Sequence, residues 1–185
     1  MVRTFVALPL PQMVQQRLFD AGQVLLRSNA GIKSVAPSLM HITLSFLGEV
    51  HPDQIPVIAD ALKKIIQTPF EIHIGPIVAD NMKNPRVIWA QISDSGECTH
   101  VYQQVEHLLK PLGFLPESRP FRPHITVARV KRPHQDLLQI LNNSLSSTTY
   151  GSCTINRCVF MKSVLNPGGP DYSELAEVTF EKISP

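Results

Sequence analysis

Two stretches of this 185-residue chain repeat one pattern: Met40-His41-Ile42-Thr43-Leu44-Ser45-Phe46-Leu47 and Pro123-His124-Ile125-Thr126-Val127-Ala128-Arg129. The first alternates polar and apolar side chains, and the second opens the same way. Period-two alternation is the mark of a strand with one buried face; on a helix, His and Thr two residues apart would not share a side. Each stretch therefore offers an imidazole and a hydroxyl on one face, about 7 Å apart along the chain. One copy sits in each half of the sequence, so the second half echoes the first and the two motifs suggest a two-fold site.

The intervening sequence fits that division. Val2 to Leu8 reads as a short buried strand, and after Pro9 to Pro11 the residues Val14, Leu18, Gly22, Leu25 and Leu26 recur at helical spacing. Asp53 is placed to cap a helix through Ile66, carried by Ile55, Ile58, Leu62, Ile65 and Ile66 and closed by Pro69. Phe70 to Val78 and Val87 to Ile92 flank the turn signal Asn81 to Pro85 and read as an antiparallel pair. Helices follow over Gly96 to Leu112 and Gln135 to Leu145, with strands near Thr149 to Ser163 and Leu175 to Ile183. Strands outnumber helices, and no Gly-rich loop joins strand to helix as a nucleotide-binding βαβ unit requires. The expected class is α+β with antiparallel sheets, folded as one domain over residues 1–185.

Composition excludes several alternatives. With 43% hydrophobic and 17% charged residues the chain is too apolar to remain disordered, and a net charge of +2 does not by itself demand a nucleic-acid partner. Cys98, Cys153 and Cys158 are odd in number and lack CxxC spacing, so they read as reduced thiols rather than a disulfide framework or zinc knuckle. The first apolar stretch is short for a signal core and broken by prolines, and no later run approaches membrane-spanning length, so the expected location is the cytoplasm, with no membrane partner.

Two imidazoles with ordinary pKa values near 6.5 can supply one base and one acid, and two hydroxyls can donate to phosphoryl oxygens. Such a set suits phosphodiester cleavage. Either motif alone is more simply a strand whose His and Thr bond their neighbours; it is the pairing that points to a site. The remaining histidines, His51, His73, His100, His107 and His134, have no acid or cysteine at ligand spacing that would assemble a recognisable metal centre, and each motif lacks a carboxylate at i+2, so no metal or other cofactor is expected.

Both motifs, with Gly48-Glu49 after the first and Phe121-Arg122 before the second, resemble the signature elements of the 2H phosphoesterase superfamily. Within it the chain is similar to RNA 2′,3′-cyclic phosphodiesterases, historically called 2′-5′ RNA ligases. Met1 to Leu8, Arg86-Val87-Ile88-Trp89-Ala90 and Gly168-Gly169-Pro170-Asp171-Tyr172-Ser173-Glu174-Leu175 extend the likeness over nearly the whole chain. The resemblance implies a bilobal fold: two antiparallel-sheet lobes related by a pseudo-two-fold around a central cleft, with helices outside.

It also implies roles. His41 becomes the proton donor and His124 the acceptor in hydrolysis of a terminal 2′,3′-cyclic phosphate to a 2′-phosphate, with Thr43 and Thr126 on the non-bridging oxygens. The ligase name implies that the same pocket can join the cyclic phosphate to a 5′ hydroxyl without a nucleotide triphosphate. The pattern His-x-Thr-x-x-Arg suggests Arg129 as a phosphate ligand. Strict alternation points Arg129 away from His124, however, so this role needs the strand to bend or end. Phe46 has the same parity problem; Phe46, Trp89 and Tyr172 either stack on a base or pack. Expected partners are RNA with cyclic phosphate ends, tRNA fragments among them, or small cyclic nucleotides, bound by a monomer. The rival reading is a non-catalytic RNA- or nucleotide-binding module with the same pocket.

Overall fold

In a computed structural model, residues 1–115 and 117–181 are described. Nine strands form one curled antiparallel sheet in the order β7-β4-β5-β6-β3-β1-β8-β9, with β2 also paired to β6. The strands are β1 Val2–Pro9, β2 Gly31–Ser34, β3 His41–Val50, β4 Phe70–Ala79, β5 Val87–Ser93, β6 His124–Arg132, β7 Ser152–Ile155, β8 Arg157–Asn166 and β9 Gly169–Thr179. The helices among the described residues are α1 Gln12–Gly22, α2 Gln54–Leu62, α3 Glu97–Leu109 and α4 Gln135–Ser144.

The sheet divides into two lobes. Strands β3, β1, β8 and β9 make one, and β6, β5, β4 and β7 with β2 make the other. They meet at a single bridge between β3 and β6, where Ile42 lies opposite Ile125. These are equivalent residues of the two motifs, so the pseudo-two-fold passes between them. Leu8 flanks Ile42 and Ala90 flanks Ile125 in the same row, and all four side chains are fully buried. Truncating either isoleucine to alanine would cost about 2–5 kcal/mol at the seam.

One face of the sheet is covered by helices. Val14 and Leu18 of α1, Ile58 and Leu62 of α2, Val101, Val105 and Leu109 of α3, and Leu137 and Leu141 of α4 join one core that takes in both lobes. For α1 and α2 these include residues whose helical spacing is legible in the sequence, Val14 and Leu18, and Ile58 and Leu62. A smaller cluster of Phe5, Ala7 and Val159, with Met161 and Tyr172 against it, lies apart from this core.

Several boundaries differ from expectation. Asp53 does not cap α2: its backbone is already helical and its side chain makes no cap bond. Its carboxylate instead lies 3.3 Å from His51 Nδ1. The helix stops at Leu62 rather than Ile66, because the Lys64 and Ile65 amides donate to Ala61 and Leu62, three residues back, and tighten the last turn. Ile65 stays buried, whereas Ile66 turns outward and exchanges backbone hydrogen bonds with the Gln104 side chain. Leu26 is likewise exposed, since a 3₁₀ turn over Gln23–Arg27 replaces the expected α period. Strand β2 is an addition to the expected elements, because it carries no alternation long enough to read. The Thr149–Ser163 run breaks into β7 and β8, β8 continues to Asn166, and β9 starts at Gly169 rather than Leu175; Ile183 lies outside the described residues.

Candidate active site

Each motif opens its strand and then contains a bulge at its fourth residue. On β3, Thr43 lies opposite Ala7 and Ser45 opposite Val6, which leaves Leu44 without a partner on β1. On β6, Thr126 lies opposite Trp89 and Ala128 opposite Ile88, which leaves Val127 without a partner on β5. An unpaired residue shifts the alternation by one. Leu44 and Ser45 are both buried, as are Val127 and Ala128, and beyond each bulge the parity is reversed. Phe46 and Arg129 are thereby returned to the side that carries the His and Thr of their own motif. The parity difficulty seen in the sequence is resolved in the same way in both lobes.

The imidazoles are fixed alike. His41 Nδ1 is 2.9 Å from the Leu39 carbonyl and His124 Nδ1 is 2.8 Å from the Arg122 carbonyl. A carbonyl oxygen only accepts, so Nδ1 carries the proton in both neutral rings and Nε2 keeps a lone pair for the cleft. The surroundings differ. His41 stacks on Phe5 at 4.9 Å between centroids and makes a T-shaped pair with Tyr172 at 5.6 Å. His124 has the Trp89 ring at 4.4 Å. Burial holds His41 down at a pKa of about 4, against the bond to Leu39, which raises it, and with the neighbouring His124 adding to the depression.

The expected site residues therefore come together. His41, Thr43, His124 and Thr126 share one face about the Ile42–Ile125 bridge. Phe46 is 58% exposed, too open for a core side chain, and its ring is 6.1 Å from Phe5. Tyr172, from β9, stands 4.9 Å from Phe5 with its phenol raised by burial, an effect that Arg129 and Arg3 oppose. Phe5 joins the site with no signal in the sequence, where it is one apolar residue in a buried strand. Of the other histidines, His51, His73 and His134 each face one nearby acid at the surface. Among the described residues no group of three His, Cys, Asp or Glu side chains could hold a metal ion, and no helix is long and apolar enough to cross a membrane. Cys98, Cys153 and Cys158 are free thiols, with burial pushing Cys158 to about 12.

Residues 26–166 match the sequence profile of the 2′-5′ RNA ligase superfamily. The chain belongs to this superfamily. Among similar proteins, the RNA 2′,3′-cyclic phosphodiesterase of Archaeoglobus fulgidus is 33% identical over 94% of this chain and 98% of its own. That of Methanothermobacter thermautotrophicus is 30% identical over 94% and 96%. Crystal structures align closely: TT0787 of Thermus thermophilus superposes with a TM-score of 0.80 at 26% identity, covering 96% of this chain and 97% of that one. Escherichia coli LigT complexed with 3′-AMP gives 0.79 at 21% identity, covering 98% and 99%, a likeness of fold. The bilobal 2H phosphoesterase architecture that the resemblance implied is thus the architecture of this superfamily member.

Proposed function

We propose that this chain is an RNA 2′,3′-cyclic phosphodiesterase, built as one two-lobed domain over residues 1–185, that opens a terminal cyclic phosphate to a 2′-phosphomonoester. The observation that carries the reading is the pair His41 and His124, each with Nδ1 occupied by a carbonyl and Nε2 free, on strands joined at Ile42–Ile125. The names of the relatives at about one-third identity support the same reaction.

In the proposed step a water oxygen attacks phosphorus, its proton passes to His124 Nε2, the bond from phosphorus to O3′ breaks, and His41 protonates O3′. Thr43 and Thr126 donate to the non-bridging oxygens, and Arg129 adds positive charge where the phosphorane builds negative charge. Phe46 and Tyr172 offer aromatic surface to the terminal base. Because His41 is neutral in the free site near pH 7, the substrate anion must bring its proton affinity up, so binding takes up a proton. With a 5′ hydroxyl in place of water, the same geometry would form a 2′-5′ linkage without a nucleotide triphosphate.

The test is turnover of a short RNA ending in a 2′,3′-cyclic phosphate, in excess chelator, by wild type, His41→Ala and His124→Ala, with identification of the product isomer. Production of the 2′-phosphate by wild type alone supports the reading. A 3′-phosphate product, loss of activity with chelator, or full activity in either variant counts against it. Tight binding of such ends without turnover favours the non-catalytic module, and tRNA fragments and cyclic mononucleotides belong in the same panel.

A further inference from the structure

Lys33 and Arg129 lie directly opposite each other on β2 and β6. Ile32 packs against the main core, so its neighbour Lys33 projects to the other face of the sheet, the one to which the Val127 bulge returns Arg129. Like charges directly opposite on paired strands repel. Among the described residues neither cation takes part in an ion pair that would offset this.

The Lys33 ammonium reaches across to the β8–β9 hairpin, where its Nζ is 4.0 Å from the place a Cβ on Gly169 would occupy. Gly169 has φ +142°, a conformation that side-chain-bearing residues rarely adopt, so the hairpin approaches here as bare backbone. Three residues on, the same hairpin carries Tyr172, which packs in a T-shaped arrangement with the His41 ring. On β6 Arg129 follows His124 and Thr126 on the cleft face, and Lys33 is paired opposite it, so the two cations lie further along the strand than the imidazole, on the side toward which a chain leaving the cyclic phosphate can run.

We propose that Lys33, together with Arg129, forms a second phosphate subsite that takes the phosphodiester on the 5′ side of the nucleotide bearing the cyclic phosphate. This rests on the phosphodiesterase reading and narrows its substrate class to oligoribonucleotide ends rather than free cyclic mononucleotides. Arg129, with five donors in a planar fork, stands between the two phosphates and serves both, whereas Lys33 serves only the second. An anion between the two cations replaces their repulsion with two charge-assisted hydrogen bonds.

The experiment compares kcat/KM for a dinucleotide ending in a 2′,3′-cyclic phosphate with that for a cyclic mononucleotide, in wild type, K33M, K33R and the distant charge control K64M. K33M is expected to lower the dinucleotide value by about tenfold, the low end for a hydrogen bond to a charged group. The mononucleotide value should stay unchanged, K33R should restore most of the loss, and K64M should leave both substrates as in wild type. The dependence of log kcat/KM on log salt for the dinucleotide should flatten by about 0.7 in K33M, one phosphate contact on a single strand. Equal loss on both substrates, or loss on neither, overturns the subsite. Affinities of the 2′-phosphorylated dinucleotide and mononucleotide are measured in parallel from Trp89 fluorescence. If wild type turns over neither substrate, the phosphodiesterase reading fails and binding alone judges the subsite: a dinucleotide preference abolished by K33M supports it, and equal affinities overturn it.

Discussion

His41 and His124 each donate an Nδ1 proton to the carbonyl two residues earlier, Leu39 at 2.9 Å and Arg122 at 2.8 Å, yet only His41 is enclosed by two aromatic rings, Phe5 and Tyr172. The pseudo-two-fold therefore fixes one tautomer in both rings while the packing around them breaks the symmetry. In the free site the enclosure keeps His41 unprotonated near neutral pH, so the proton-donor role proposed for it depends on a bound phosphate raising its proton affinity.

The first consequence is a titration. In the free protein, the His41 ring signals followed by NMR should report a pKa of about 4. Saturation with inorganic phosphate or a nucleoside 2′-phosphate should move it upward, since a nearby anion favours the imidazolium. His124→Ala should also raise it, because the neighbouring imidazole is one cause of the depression. A His41 that titrates near 6.5 in the free protein would remove the proposed proton uptake on binding.

The same shift predicts how stability responds to acid. His41 has a folded pKa of about 4, below the unfolded value of 6.5. Between those two values the unfolded chain binds a proton that the folded chain does not, so this residue's contribution to stability falls as pH drops from about 6.5 to 4. His41→Asn should therefore lose less stability over that interval than wild type, measured as urea midpoints at pH 7 and pH 4.5. Parallel pH dependences would show that the ring is not desolvated.

Roles can be separated by changing the leaving group. If His41 protonates the departing O3′, a substrate with sulfur at that bridging atom needs little acid assistance, and His41→Ala should recover about 10²-fold of its loss on it. His124→Ala should recover none, because activation of water is still missing. The reverse pattern would exchange the two assignments.

The sequence displayed the motif strands, the core stripes of the first two helices and the two-fold relation, because these depend on side-chain periodicity that burial enforces. It did not display the bulge at Leu44. There Thr43, Leu44, Ser45 and Phe46 alternate polarity in step, yet Ser45 is buried and Phe46 exposed. At Val127 and Ala128 two consecutive apolar residues did break the alternation, the one local sign that Arg129 changes face. Phe5 beside His41 and Lys33 opposite Arg129 are products of pairing between distant strands, which no local pattern encodes. The i to i+3 bonding that ends the first two helical runs early likewise leaves no mark in their apolar spacing.

Arg129 supplies a prediction of its own. Delivered to the cleft face by the bulge, its guanidinium presents donors in a planar fork that an ammonium cannot reproduce. Arg129→Ala should lower kcat/KM on a cyclic-phosphate RNA by about 10- to 100-fold, the range for losing a hydrogen bond to a charged group. Arg129→Lys should recover only part of it. A wild-type rate in Arg129→Ala would make the residue a solvated surface arginine with no part in the reaction.

The bulge at Val127 also has a buttress that can be tested. Gly22, buried in the last turn of α1, lies so close that a Cβ there would be 2.7 Å from Val127 Cγ1. Alanine gains about 1 kcal/mol over glycine in a helix interior. Forcing an extra methyl against a stiff β-branched side chain costs about 1–3 kcal/mol. Val127 has little room to yield, because its carbonyl also accepts the Val35 amide at 2.9 Å. Gly22→Ala should therefore be net destabilising by about 1 kcal/mol, and its pressure on the bulge should disturb Arg129 and lower kcat/KM. Val127→Ala removes the methyl that is struck, so in the double variant the helix gain should survive without the clash. Urea midpoints for the four proteins of the cycle should give a favourable coupling of about 1–2 kcal/mol, within the range found for contacting residues. Additive effects would mean that α1 does not press on the bulge, and that the reversal of parity at Arg129 is maintained by the β5 and β2 pairings alone.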